Sequence, residues 1–186
     1  TVIGAVGART TAFKTVRFDE LALERHGITT ETYDLSELIR RTGEVKPASD
    51  AYRAKAERLK GYTNWKGVPD TAIDTLVRVG VSLDDLVAEA GLDALALRCW
   101  LELEQVLKIS PCVLLSEMND RGITAACELD VCNAVAMRAL SLASGRSATC
   151  LDWNNNYGDD PDKCILFHCG PVPQSLMAAK GQVIEH

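Results

Sequence analysis

What most restricts the fold of this chain is an alternation of short apolar runs with amphipathic stretches that starts at its first residues. Residues 2–6 (VIGAV) are a brief β-rich run ending at Gly7, residues 17–25 read as a helix closed by Gly27, and residues 28–33 alternate as a strand. Asp34 or Ser36 then stands where a helix running through Arg40 would be capped. Strand, helix, strand, helix is the order of an open α/β sheet, because each crossover helix carries the chain back to begin a parallel strand. GAVGA lacks the full GxGxxG spacing, and no acidic residue is placed to hold a ribose, so no dinucleotide site is expected.

The same reading continues through the middle of the chain. Residues 50–60 predict a charged helix stopped by Gly61, with Arg53, Lys55, Arg58 and Lys60 on a solvated face. Pro69 and Asp70 introduce a helix ended by Gly80, and Ser82 with Asp85 reads as a capping box that opens a second one closed by Gly91. Residues 92–99 return to the sheet, residues 102–107 and 111–119 are helical, residues 123–127 are a small buried strand, and residues 131–143 are a helix punctuated by Gly145. Beyond Gly145 two strand-like runs, residues 147–153 and 163–169, flank NNNYGDDPD, a hydrophilic stretch that reads as a long hairpin connection. The expected architecture is therefore α/β: residues 1–145 form a Rossmann-like domain with an open, mostly parallel sheet and flanking helices. Residues 146–186 begin an antiparallel β domain.

Three residues stand at the ends of apolar runs where chemistry is expected: Glu128 in AACELD, Asp152 in CLDWN and His168 in ILFHCG. Open α/β sheets place their ligand sites beyond the carboxyl ends of strands, where Glu128 falls. Two carboxylates and an imidazole make an oxygen and nitrogen donor set, which suits a divalent ion such as Mn²⁺ better than a thiolate-preferring one. With Glu128 in the first part and Asp152 and His168 on neighbouring strands of the second, the metal would lie in the cleft between them. Trp153 and Asn154 follow Asp152 directly and are weaker candidates for stacking on, and hydrogen bonding to, a substrate.

Composition removes other classes. Twenty-six acidic against twenty basic residues leave a net charge of -6, with no basic footprint for a nucleic acid or an anionic membrane surface. No apolar run approaches the roughly 20 residues of a membrane span and no cationic leader is seen, so a cytoplasmic protein is expected. Seven cysteines contain no CxxC pair, and most lie in apolar contexts such as PCVLL and KCILF, which predicts reduced core thiols.

The run PCVLLSEMNDRGITAACELDVCNAVAMRAL, followed by ATCLDWNN and ILFHCGPVP, resembles the L-fucose isomerase and L-arabinose isomerase superfamily, on the fucose isomerase side. VIGAVGARTTAFKTVRFDE near the start resembles the opening of that family's second domain. The resemblance implies one divalent metal, usually Mn²⁺ but also Mg²⁺ or Co²⁺, held by Glu128, Asp152 and His168, with Glu128 and Asp152 as acid and base. It implies an aldose–ketose isomerase acting on a free sugar of the L-fucose, D-arabinose or L-arabinose type through an enediol. It further implies a homo-oligomer, and a longer protein in which an α/β domain precedes Thr1 and more β structure follows GQVIEH. Two other readings use the same residues: a sugar-binding α/β module without catalysis, and a metal-dependent hydrolase or aldolase.

Overall fold

The computed structural model describes residues 1–184, so the last two positions of the region 146–186 lie outside the described residues. Four parallel strands, β1 (Val2–Val6), β2 (Thr29–Tyr33), β3 (Ala94–Leu97) and β4 (Thr124–Ala126), form one sheet in the order β2-β1-β3-β4. Among the described residues six α-helices accompany it: α1 (Glu20–Glu24), α2 (Leu35–Glu44), α3 (Asp50–Tyr62), α4 (Asp70–Ala90), α5 (Cys112–Asp120) and α6 (Val131–Ser144). A separate antiparallel pair, β5 (Asp152–Tyr157) and β6 (Asp160–Phe167), follows. This is the α/β architecture expected from the alternation. Among the described residues no helix is long and apolar enough to cross a membrane.

Strand periodicity decides how the layers stack. In β3 (ALAL), Leu95 and Leu97 face the larger core with Leu38, Leu59, Leu83 and Leu114 from α2 to α5, while Ala94 and Ala96 face α6. The central strands β1 (VIGAV) and β3 (ALAL) are covered on both faces and so are apolar at every position, whereas the edge strand β2 (TTETY) is polar and mostly exposed. On the α6 side Ala5, Ala94, Ala96 and Ala126 are small, and Val131, Ala134 and Met137 pack onto them.

The chain order reverses at β1, whose neighbours are β2 on one side and β3 on the other. Gly7 ends that strand with φ +98°, and a Cβ there would meet the Arg98 Cβ at 2.8 Å. Both the left-handed conformation and the crowding exclude other residues. Gly7→Ala should lose about 1–3 kcal/mol in urea unfolding; an unchanged midpoint would show that the β1 and β3 ends can part without cost.

Several elements differ from the sequence reading. The two helices expected on either side of Gly80 are one, α4, and α3 runs through Gly61. Gly80 is a contact point and no stop: a Cβ would lie 3.1 Å from Lys55 Cδ and 3.2 Å from Leu114 Cδ2. Ser82 opens nothing, because its hydroxyl donates to the Arg78 carbonyl one turn back at 3.1 Å. The first helix is shorter than residues 17–25, starting after Asp19, whose carboxylate accepts from the Ala22 N–H at 3.0 Å.

Lys55, placed by its charged surroundings on a solvated face, is 4% exposed. Its ammonium lies 2.6 Å from Asp84 and 3.1 Å from Glu117, itself buried, and Arg121 reaches Glu117 at 2.6 Å. Arg58 approaches the same carboxylate at 3.4 Å. This ion cluster ties α3, α4 and α5 together and accounts for Gly80, beneath which the lysine stem passes.

The polar run after Asp152 is strand and not loop. Asn155 and Asn156 pair with Ile165 and Cys164, and only Gly158 and Asp159 separate the paired Tyr157 and Asp160. Gly158, at φ +56°, supplies the tight turn, and the β-forming partners in β6 compensate for the weak strand preference of asparagine. Residues 147–151 spend their hydrogen bonds elsewhere: Ser147 donates to Asn119 and Asp120, and Thr149 to the Pro171 carbonyl. The tail after β6 returns to the helices, where Tyr62 donates to Asp120 at 2.6 Å, the Gln174 N–H donates to Tyr62, and Thr63 donates to the Gly181 carbonyl.

All seven cysteines are free, but the expectation of a mostly buried set fails. Cys99 and Cys127 are buried, Cys112 and Cys150 partly so, and Cys132, Cys164 and Cys169 are exposed. The apolar context of Cys164 belongs to a two-stranded hairpin with solvent on both sides, so local hydrophobicity does not translate into burial.

Candidate functional site

Glu128 stands just beyond β4, at the carboxyl end of the parallel sheet, in a left-handed corner with φ +62°, and Leu129 follows at φ +60°. Two consecutive non-glycine residues in this region carry strain that the surrounding structure must hold. Three contacts hold it. Leu129 donates its N–H to the Leu97 carbonyl at the end of β3, its side chain is buried among the α6 residues, and Asp130 donates its N–H to the Cys127 carbonyl. Asp130 then caps α6, accepting from the Asn133 N–H at 2.9 Å, and the Asn133 amide donates back to its other oxygen. The corner thus turns the Glu128 carboxylate over the strand ends while its neighbours are anchored below.

His168 follows β6 and meets this carboxylate, Nε2 lying 3.9 Å from Glu128 Oε1. Its Nδ1 is 2.8 Å from the Cys150 carbonyl, which can only accept, so Nδ1 carries a proton and, in the neutral ring, Nε2 presents the lone pair. That Nε2 is buried without a hydrogen-bond partner, in a side chain 9% exposed. Gly170 makes room for the ring, since a Cβ there would come within 2.6 Å of Cε1, which gives the HCG spacing its physical reason.

Glu128, Asp152 and His168 line one cavity of about 270 Å³, together with Thr15, Val16, Ala126, Cys127, Asp130, Asn133, Met137, Cys150 and Pro171. Burial raises the Glu128 carboxyl above its ordinary value, the nearby charges of Asp152 and Asp130 add to the rise, and His168 opposes it. Asp152, the first residue of β5, is exposed at the rim. Among the described residues no three His, Cys, Asp or Glu side chains close together into a metal-holding group as they stand.

The donor set nonetheless fits a divalent cation. An unpartnered imidazole nitrogen, a desolvated carboxylate facing it and a second carboxylate at the rim leave negative charge without a counter-ion. The Nδ1 bond to the Cys150 carbonyl is the kind of contact that orients a ligating histidine.

The two weaker candidates are not in the lining. Trp153, next along the strand from Asp152, pairs with Leu166 and is 80% exposed, and Asn154 lies in the irregular step between Trp153 and Asn155. Sequence reading missed Asn133 and Asp130 as cavity residues, although an Asp two positions past Glu128 and three before Asn133 is a readable cap. Glu117 and Asp120 serve the helix ion cluster and the tail clasp and not the cavity.

No protein-family model matches the chain. It is 25% identical over 150 residues to a protein named sulfoquinovose isomerase from Priestia aryabhattai, covering 81% of this chain and 33% of that one. A protein of the same name from Clostridium sp. (strain MSTE9) is 28% identical over 164 residues, 87% of this chain and 36% of its own length. One from Alkalicoccus urumqiensis is 27% identical over 107 residues, 58% of this chain and 24% of the other. The expectation named L-fucose and L-arabinose isomerases, and these relatives carry the name of another sugar. The chain is thus similar to proteins named as sugar isomerases and spans about a third of the length of the curated relatives it matches.

Proposed function

We propose that this chain carries the metal-binding part of the active site of an aldose–ketose isomerase acting on a free sugar through an enediol. The observation that carries the reading is the buried, unpartnered Nε2 of His168 facing Glu128 across a cavity that Asp152 completes. Glu128, Asp152 and His168 would hold a divalent cation, Mn²⁺ or else Mg²⁺ or Co²⁺. Such a cation, when bound, offers positive charge to the sugar's carbonyl and hydroxyl oxygens.

The chain's own residues then account for proton movement. Isomerisation takes a proton from C2 of the aldose and returns it to C1, while the hydroxyl proton at O2 passes to O1. Glu128, at the carboxyl end of the sheet, carries the carbon-bound proton on the carboxylate oxygen a cation would leave free, and Asp152 at the rim handles the oxygen-bound one. Val16, Ala126 and Met137 form the apolar wall that limits water. The cavity draws Glu128 from the sheet and Asp152 and His168 from the hairpin end of the chain, which supports a division near Gly145. The relatives' name makes sulfoquinovose the first sugar to assay, followed by L-fucose and the arabinoses. A homo-oligomer would cover the exposed Trp153, Leu166 and Phe167.

Calorimetric titration of Mn²⁺ into the chain, with Asp152→Ala and His168→Ala in parallel, tests the ligand set. One Mn²⁺ per chain is expected, weakened at least about tenfold in each variant, as loss of a ligand should cost no less than loss of the bond that orients one. Binding retained in both variants would place the metal elsewhere and sink the assignment.

A further inference from the structure

Asp130 and Asn133, at the start of α6, line the cavity without a part in the proton transfers or the ligand set proposed above. Asp130 accepts the Asn133 backbone N–H at 2.9 Å, so Asn133 holds the place from which a capping-box side chain reaches back to the N–H of the capping residue. That N–H is already taken, because Asp130 donates it to the Cys127 carbonyl in closing the corner after Glu128. The Asn133 amide turns instead to the other Asp130 oxygen, at 2.5 Å. A carboxylate only accepts, so the amide nitrogen must face it. One amide hydrogen and Oδ1 are left over, and neither has a hydrogen-bond partner among the described residues. Thr15 also brings an uncharged hydroxyl to the lining, but it is exposed and no hydrogen bond among the described residues fixes it.

We propose that Asn133 binds a substrate hydroxyl beyond C2 and so selects among the sugars that the cavity accepts. This rests on the isomerase reading above, in which a cation takes the oxygens at C1 and C2. A sugar hydroxyl both donates and accepts, and an amide with one N–H and one oxygen free meets both needs. The Glu128 and Asp152 carboxylates, as ligands, only accept. Because Asp130 already holds the Asn133 amide in one orientation, little rotamer freedom is lost when the sugar binds, and more of each bond appears as affinity. A sugar without that hydroxyl leaves the amide, on a half-buried residue, without the partner it was turned to meet.

The test titrates sulfoquinovose and its 3-deoxy and 4-deoxy analogues into the Mn²⁺-loaded 186-residue chain, as wild type, Asn133→Ala and Asn133→Ser. Wild type should bind one of the two analogues about tenfold more weakly than the parent sugar, the size of one or two neutral hydrogen bonds. Both variants should bind the parent sugar about tenfold more weakly and should not distinguish it from that analogue, since the two deletions remove the same contact. Mn²⁺ affinity should stay within about twofold of wild type in both variants, short of the tenfold or more that loss of a ligand's support produces.

Deletions whose losses multiply, analogues that wild type binds as well as the parent sugar, or variants that bind that sugar as wild type does would each overturn the proposal. So would a tenfold loss of Mn²⁺ affinity in the variants, which would make Asn133 a support for the Glu128 corner, and so would a wild type that binds Mn²⁺ but none of the sugars. A wild type that binds the sugars without Mn²⁺ sinks the cation reading alone, and the comparison across sugars and variants still decides Asn133. One that binds neither overturns both.

Discussion

Glu128→Gln should lower ketose formation about 10²–10⁴-fold while leaving the chain at least as stable as before, the range being that of a lost general acid or base. The stability half follows from the direction of the carboxyl's shift. Burial, then the charges of Asp152 and Asp130, hold Glu128 above the ordinary carboxylate range against the pull of His168. A carboxyl raised on folding favours the protonated folded state. Its contribution is present in full below the unfolded value and is lost as pH rises through the raised one. As pH rises and Glu128 ionises, metal-free wild type therefore loses stability that glutamine, a mimic of the protonated form, keeps. Glutamine can also donate to the lone pair on His168 Nε2, which has no partner. Urea midpoints of the metal-free variant should exceed wild type near pH 7, with the gap closing towards roughly pH 4. A variant that loses turnover together with stability would mean that Glu128 holds the corner together and does not serve the reaction.

Glu117→Ala should be the most damaging single change to the fold, at about 3–5 kcal/mol, because it removes the carboxylate that Lys55, Arg58 and Arg121 share. Lys55, with its side chain 3% exposed, keeps Asp84 but loses half of its compensation. Pairing the change with Lys55→Met, as Lys55→Met/Glu117→Leu, should recover much of the loss, since an apolar pair of similar volume has no charge to desolvate. Chemical denaturation of the single and double variants reads this directly. A single variant within about 1 kcal/mol of wild type would place the cluster with surface ion pairs, which contribute little.

The two proposals about Glu128 and Glu117 had unequal signals in the sequence. Glu128, Asp152 and His168 could be named because each ends an apolar run, and the structure brings all three to one cavity. Glu117 sat in a helix with nothing to distinguish it, and Lys55 sat among charges that read as a solvated face. Their burial depends on α3 crossing α4 at Gly80, a contact between residues distant in the chain that no local window contains.

Helix ends show the same division. Gly91 and Gly145 do end helices, each in a left-handed cap, whereas Gly61 and Gly80 lie inside helices. The residue type alone permits either outcome, since glycine costs a helix interior only about 1 kcal/mol, which tertiary packing outweighs. Asn155 and Asn156 became strand because β6 was available to pair with them and a Gly-Asp turn set the register.

By itself, then, the sequence determined the α/β order, the apolar central strands β1 and β3, and the chemical identity of the three candidate ligands. These depend on hydrophobic period and residue type, which are local properties. Only the tertiary structure decided that Nε2 of His168 would be left without a partner, that Trp153 would stay out of the cavity lining, and that Cys99 and Cys127 would meet. Each of these depends on where a strand end or helix start comes to rest against another, and that is set by packing across the whole sheet.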